Sequence, residues 1–318
     1  MKERSNLKKT AFLFPGQGSQ RVGMGHDFYQ EYDLVREIFD MAEEITRINL
    51  SRLCFKGPME ALTATVNLQP AVTAVNLACL AAIEKEGIKS QFCAGHSLGE
   101  YSALCSAGCI TREDTIKLVF QRAALMHREA TKHQGAMQAI VGLPIEAVER
   151  IVAEEQEKGI VSIANHNTEL QVVITGSPDS VNQVASRAAE KGAKSIALKV
   201  SGAWHSDLIK DAEDEFNSYL QTVSFSPPES SLIFNVTADI SEDPVEIQSI
   251  MARQLCSPVK WYASMLRLIE AQVEVFVEVG PGRVLSGILK KILPENYQGA
   301  VYNVDSVKQL ERFFHDNT

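Results

Sequence analysis

Gln91-Phe92-Cys93-Ala94-Gly95-His96-Ser97-Leu98-Gly99-Glu100 is the stretch that decides the fold of this 318-residue chain. Residues 91–94 form a short, mostly apolar run that suits a buried strand, and the run from Leu98 to Ala107 reads as a helix. Between them lies Gly-x-Ser-x-Gly. Strand, sharp turn and helix form the setting in which such a serine becomes a nucleophile. Gly95 and Gly99 let the backbone turn tightly and leave the Ser97 hydroxyl exposed. The backbone N–H of Leu98 can then stabilise an oxyanion. A bare Gly-x-Ser-x-Gly is weak, because both residues are common; the strand before it and the helix after it give it meaning.

Working outward, Thr10 to Phe14 reads as another buried strand. It runs into the glycine-rich turn Pro15-Gly16-Gln17-Gly18-Ser19-Gln20. Helical patterns fill residues 28–46 and 69–86. Thr111 with Asp114 makes a capping-box-like start to a helix reaching residues 127–130. Residues 273–279 form a strong strand that ends at Gly280-Pro281-Gly282, with a helix from there to about residue 292. Strands alternating with helices argue for a parallel α/β sheet. The middle of the chain differs. Residues 135–141, 160–164, 170–175 and 194–200 read as strands, with helices at 144–158 and 178–191. That order, βαββαβ over about 70 residues, is the pattern of a ferredoxin-like unit. The expected division is a core of residues 1–132 and 203–318 with residues 133–202 inserted, and a ligand cleft between the two.

Composition narrows the function. A net charge of −9 argues against a general nucleic-acid binder. The 45% hydrophobic and 22% charged content is ordinary for a globular chain. The six cysteines include no Cys-x-x-Cys and the histidines have no zinc-like spacing, so no metal site is expected. Cysteines within apolar runs suit small core residues in a reducing compartment. No signal peptide is evident and no stretch approaches a membrane span. A cytoplasmic enzyme with no membrane partner is therefore expected.

A serine nucleophile needs a base. Among seven histidines, His205 lies where the last strand of the insert returns to the core and a helix begins near Asp207. It is a candidate base, although a histidine at a helix start is often structural. His96, adjacent to Ser97, should point away from Oγ and support the turn. A second oxyanion donor can come from Gly16-Gln17-Gly18; a phosphate loop there lacks its Gly-Lys-Ser/Thr ending. Arg122 sits at the edge of an apolar helical face. It is either a snorkelling surface arginine or a bidentate clamp for a substrate carboxylate.

These residues, in this order, resemble the malonyl-CoA:acyl carrier protein transacylases and the acyltransferase domains of polyketide synthases. The matching pieces are Phe14 to Gln20, Gly95 to Glu100, Gln121-Arg122-Ala123, Gly202-Ala203-Trp204-His205-Ser206, Gln254 to Trp261 and Glu278 to Gly282. The resemblance covers almost the whole chain. It implies an α/β-hydrolase-like core with a ferredoxin-like insert, and ping-pong transfer of malonyl from malonyl-CoA to the phosphopantetheine thiol of acyl carrier protein, in fatty-acid or polyketide synthesis. By this resemblance Ser97 is the nucleophile and His205 the base. Gln17 and Leu98 form the oxyanion hole, and Arg122 holds the malonyl carboxylate. A backbone carbonyl near Gln254 orients the histidine, and Asn165 and Asn167 border the cleft. No cofactor is implied. The family's malonyl-selective members usually carry phenylalanine before the histidine, and methylmalonyl-selective ones serine. Trp204 stands here, a bulky aromatic that should exclude an α-methyl group. The acidic carrier needs a basic patch, for which Lys191, Lys194 and Lys199, or Lys290 and Lys291, are candidates. A monomer is expected. The competing readings are an acyl hydrolase on the same scaffold and a transferase for another carboxyacyl-CoA.

Overall fold

The computed structural model describes residues 8–317. In chain order its strands are β1 (Thr10–Phe14), β2 (Phe92–Gly95), β3 (Ala136–Val141), β4 (Val161–Thr168), β5 (Gln171–Gly176), β6 (Lys194–Ala197), β7 (Ser231–Ile233), β8 (Val275–Val279) and β9 (Ala300–Val304). Five of them form one sheet in the order β7-β2-β1-β8-β9, with every pairing parallel. β1 and β8 are buried at every position. Helices cover both faces of a parallel sheet, which is why these strands are continuous apolar runs and do not alternate.

The other four strands form an antiparallel sheet in the order β4-β5-β3-β6, the ferredoxin-like arrangement. Here the side chains do alternate. Ile140, Val172 and Ile174 pack under the helices Ile145–Gln156 and Pro178–Glu190. Met137, Ala139 and Val173 turn the other way and join the main core. The antiparallel sheet is also tied through the backbone to the loop before the helix Trp261–Glu270. His166 N donates to Val259 O at 2.9 Å, and Val259 N donates to Ala164 O at 2.8 Å.

Several boundaries differ from the sequence reading. The helix expected over 28–46 is two helices, His26–Glu31 and Asp33–Thr46, broken by an extended Tyr32. The helix expected from 69 begins at Thr65 and carries Pro70 inside it. The strand expected over 194–200 leaves the sheet after Ala197. Leu198 and Val200 then turn into the cleft. β7 and β9 were not anticipated. Residues 65–85 also amend the expectation about membrane spans. By length and composition this helix is apolar enough to cross a membrane, yet 89% of its most apolar window is buried within the protein. It is the central core helix against which Asp33–Thr46 and Arg112–Lys132 pack.

Candidate active site

The turn after β2 is tight because two glycines make it so. A Cβ on Gly99 would stand 1.9 Å from Phe14 O, and one on Gly95 would stand 2.1 Å from the Gly99 carbonyl. No larger residue fits at either position. The turn puts Ser97 at φ 51, in the left-handed region that non-glycine residues rarely occupy. Asn235, in the loop after β7, braces this conformation. Its Oδ1 accepts from Ser97 N at 2.7 Å, and its Nδ2 donates to Gly95 O at 2.7 Å.

Ser97 Oγ lies 2.8 Å from His205 Nε2. His205 Nδ1 faces the carbonyl oxygens of Gln254 at 3.1 Å and Ser257 at 3.0 Å. Two acceptors on that side fix the proton on Nδ1 and leave Nε2 to accept from Ser97. The ring is oriented by carbonyls, with no carboxylate partner among the described residues. Burial pushes the imidazole down to about 3, and the positive charges of Arg122 and His96 act in the same direction. His205 is therefore neutral in the free protein.

Arg122 is only 2% exposed, so it is not a snorkelling surface arginine. It extends from the helix Arg112–Lys132 toward the serine. Its Nη2 donates to Ser97 Oγ at 3.1 Å and its Nη1 to Gln69 Oε1 at 2.8 Å. The guanidinium lies 5.6 Å from the Tyr101 ring centroid. Among the described residues, no carboxylate pairs with it directly. Buried guanidinium groups are ordinarily ion-paired, so this charge stands ready for an acid that the protein does not supply.

Gln17, Leu98, Asn165, Trp204, Leu198 and Val200 line a cavity of about 100 Å³ around Ser97, His205 and Arg122. Among the described residues, neither the Leu98 nor the Gln17 amide donates a hydrogen bond, so both are open to an oxyanion. Asn167 takes a different position: its Oδ1 accepts from His96 Nε2 at 2.9 Å. His96 also meets the Trp261 ring edge-on at 5.3 Å, directed away from Oγ as its sequence position suggested. A larger cavity of about 340 Å³ lies at the opposite end of the parallel sheet, where β8 and β9 begin. It holds none of these groups and stands apart from the chemistry.

Sequence reasoning missed Gln69, Asn235 and Ser257, and assigned Glu100 no role. Glu100 is fully buried. It accepts from Asn235 N at 2.7 Å and from Gln254 Nε2 at 2.9 Å. A glutamate inside an otherwise small and apolar helical run was the available signal for it. Gln69, beside Pro70 in a long apolar helix, offered a similar one.

Comparison with known proteins shows the family. Residues 11–312 match the acyl transferase domain family. The chain is 40% identical to the malonyl CoA-acyl carrier protein transacylase of Bacillus subtilis strain 168 over 288 residues, which are 90% of this chain and 91% of that one. The acyl carrier protein S-malonyltransferase structure from Vibrio cholerae superposes with a TM-score of 0.91 at 38% identity, covering 96% of this chain and 99% of that one. A malonyl-transacylase solved in complex with a holo type II polyketide synthase acyl carrier protein gives 0.92 at 34% identity, covering 97% and 100%. The family match runs from β1 to the last helix and takes in the serine, the histidine and the arginine, and this chain therefore belongs to the acyl transferase domain family.

Proposed function

We propose that this chain transfers a malonyl group from malonyl-CoA to the phosphopantetheine thiol of an acyl carrier protein, through a malonyl ester on Ser97. The observation that carries the reading is the buried Arg122 guanidinium, without a directly paired carboxylate among the described residues and 3.1 Å from the nucleophile. It supports an acyl group that ends in a carboxylate. A hydrolase of neutral acyl groups has no use for it.

In the first half-reaction Ser97 Oγ gives its proton to His205 Nε2 and attacks the thioester carbonyl. The oxyanion forms against the Leu98 and Gln17 amides. The carbon–sulfur bond breaks, the proton passes to the CoA sulfur, and malonyl-Ser97 remains. In the second half-reaction the carrier thiol loses its proton to His205 and attacks the ester. Ser97 leaves and recovers the proton. The carbonyls of Gln254 and Ser257 hold the imidazole in the required tautomer throughout. The side chains and amides named supply every step, so the reaction as proposed uses no metal or cofactor.

Arg122 also links substrate to base. Its charge helps to hold His205 low. A malonyl carboxylate paired with Arg122 cancels much of that charge, and the imidazole becomes a stronger base once the right substrate is seated. Trp204 fills the space beside the malonyl α-carbon and disfavours a branched acyl group.

We further propose residues 133–202 as the inserted domain and the cleft beneath it as the path of the pantetheine arm. The exposed Lys194 and Lys199 flank the cleft-lining Leu198, which favours this lip for an acidic carrier. Lys290 opens instead onto a separate cavity with Arg283 and Arg312. Six unpaired cysteines, four of them buried, suit a cytoplasmic enzyme, and we read it as a monomer. Intact-protein mass spectrometry with malonyl-, methylmalonyl- and acetyl-CoA and holo carrier protein tests the scheme. The expected result is a malonyl adduct on Ser97 that moves to the carrier. An adduct that decays to free acid and never loads the carrier would instead make the protein a hydrolase.

A further inference from the structure

Glu100 is not among the residues that line the cleft, yet its contacts lead to Ser97, Arg122 and His205. Both carboxylate oxygens are occupied by donors, Asn235 N at 2.7 Å and Gln254 Nε2 at 2.9 Å. A carboxylate only accepts. Gln254 must therefore turn its NH2 end toward Glu100, and the same NH2 donates to Ser97 O at 2.8 Å. Its carbonyl end is left facing Arg122, with Nε and Nη2 each 3.4 Å from Oε1. The backbone carbonyl of this one glutamine is among the acceptors of His205. Asn235, whose amide the other Glu100 oxygen holds, is the residue that clamps Ser97.

We propose that Glu100 is a positioning residue for acyl transfer: its ionised carboxylate, acting through Gln254 and Asn235, sets the orientation of Arg122 and of the turn that carries Ser97. The inference rests on the transacylase reading only for the identity of the acyl group. Protonation would put an O–H among donors and remove the reason for Gln254 to face as it does.

The titratable groups around Glu100 are Arg122 on the facing helix, whose charge favours the carboxylate, and Tyr101 beside it. Beyond Arg122 stand His205 and His96. The segments bearing Asn235 and Gln254 contribute amides. Burial outweighs these and lifts the Glu100 carboxyl to about 7. In the free protein His205 is held well below Glu100, so the part of an acid limb that Glu100→Gln abolishes is the part that belongs to Glu100.

The test compares wild type, Glu100→Gln and Glu100→Asp in two rates of Ser97 acylation from about pH 5.5 to about 8.5. One is malonyl-CoA loading; the other is labelling by a fluorophosphonate, which needs neither carboxylate nor carrier. Wild type should slow in both as pH drops through about 7. Glu100→Gln supplies one acceptor where two were needed. It should be slower by about 100-fold at the alkaline end, lack the acid limb, and melt close to wild type at the acid end. Glu100→Asp keeps a charge and should keep an acid limb. Wild-type rates in Glu100→Gln, or a slow variant that retains the wild-type limb, would overturn the proposal. So would a rate loss matched by a collapse in melting temperature. If wild type takes the fluorophosphonate and never malonyl, the transacylase reading fails, while the labelling profiles still decide the role of Glu100.

Discussion

Replacing Arg122 by methionine separates the clamp from the rest of the machinery. The guanidinium is 2% exposed and has no acidic partner among the described residues, so a malonyl carboxylate seated beside it would be a desolvated ion pair. Removing one member of such a pair costs about 3–5 kcal/mol, which is about 10²–10⁴-fold in malonyl loading. Stability should move little. Methionine leaves Gln69 Oε1 without its 2.8 Å donor, a cost of about 1–3 kcal/mol. It also removes a buried charge whose burial itself costs several kcal/mol. The base should survive, because losing the Arg122 charge lets His205 rise from its depressed value. The assay is rapid-quench loading of Ser97 from malonyl-CoA and acetyl-CoA side by side, with a melting curve. Malonyl loading should collapse, acetyl loading should hold or rise, and the melting temperature should shift by a few degrees at most. Malonyl loading within threefold of wild type would refute the argument, because no other buried cation faces the nucleophile among the described residues.

Four further outcomes follow from the same contacts. Asn235→Ala strips partners from Ser97 N and Gly95 O at about 1–3 kcal/mol each; melting temperature and fluorophosphonate labelling should fall together, and a stable variant that labels normally would remove Asn235 from the site. The rise of Glu100 from an ordinary 4.5 to about 7 means the folded state holds its proton more tightly. Stability from this group is therefore full below about 4.5 and lost as pH rises through about 7, about 3 kcal/mol in all, so the melting temperature of Glu100→Gln relative to wild type should climb between those pH values; a constant difference would deny the shift. Trp204→Ser should raise the methylmalonyl-to-malonyl loading ratio by an amount worth about 1–3 kcal/mol, read by mass spectrometry on mixed donors, and an unchanged ratio would clear the indole of any part in selection. Lys194→Glu with Lys199→Glu should raise the apparent KM for carrier protein and spare loading from malonyl-CoA; equal damage to both half-reactions would place the docking lip elsewhere.

The local parts of this architecture were legible in the sequence because their causes are local. The turn at Ser97 follows from a strand, two glycines and a helix within ten residues. Thr111 caps its helix through the Asp114 amide at 3.0 Å, as its spacing implied. The insert declared itself through a change of element order. What failed to show were features decided across the fold. β7 is three residues long, and β9 is half-exposed over most of its length, so neither makes a strong apolar run. Arg122 was ambiguous because a helical face does not reveal what packs against it. Its partners Gln69 and Gln254 are 53 and 132 residues distant in sequence. Asn235 lies 138 residues from the serine it braces.

Those distant contacts explain how a serine-elbow scaffold can favour an acyl donor that ends in a carboxylate, on the function proposed. In the free protein Ser97 Oγ is held between a donor, Arg122 Nη2, and an acceptor, His205 Nε2. The donor draws electron density from the oxygen, and its charge weakens the base that must take the proton. A neutral acyl group finds the nucleophile in that subdued state. A carboxylate that captures Arg122 reverses both effects at once: it releases the oxygen and cancels the charge opposing the imidazolium. The same pairing continues while malonyl remains on Ser97, so the base stays strong for the carrier thiol. Selection and activation then reside in one buried charge, and its orientation depends on the amide of Gln254 and the carboxylate behind it.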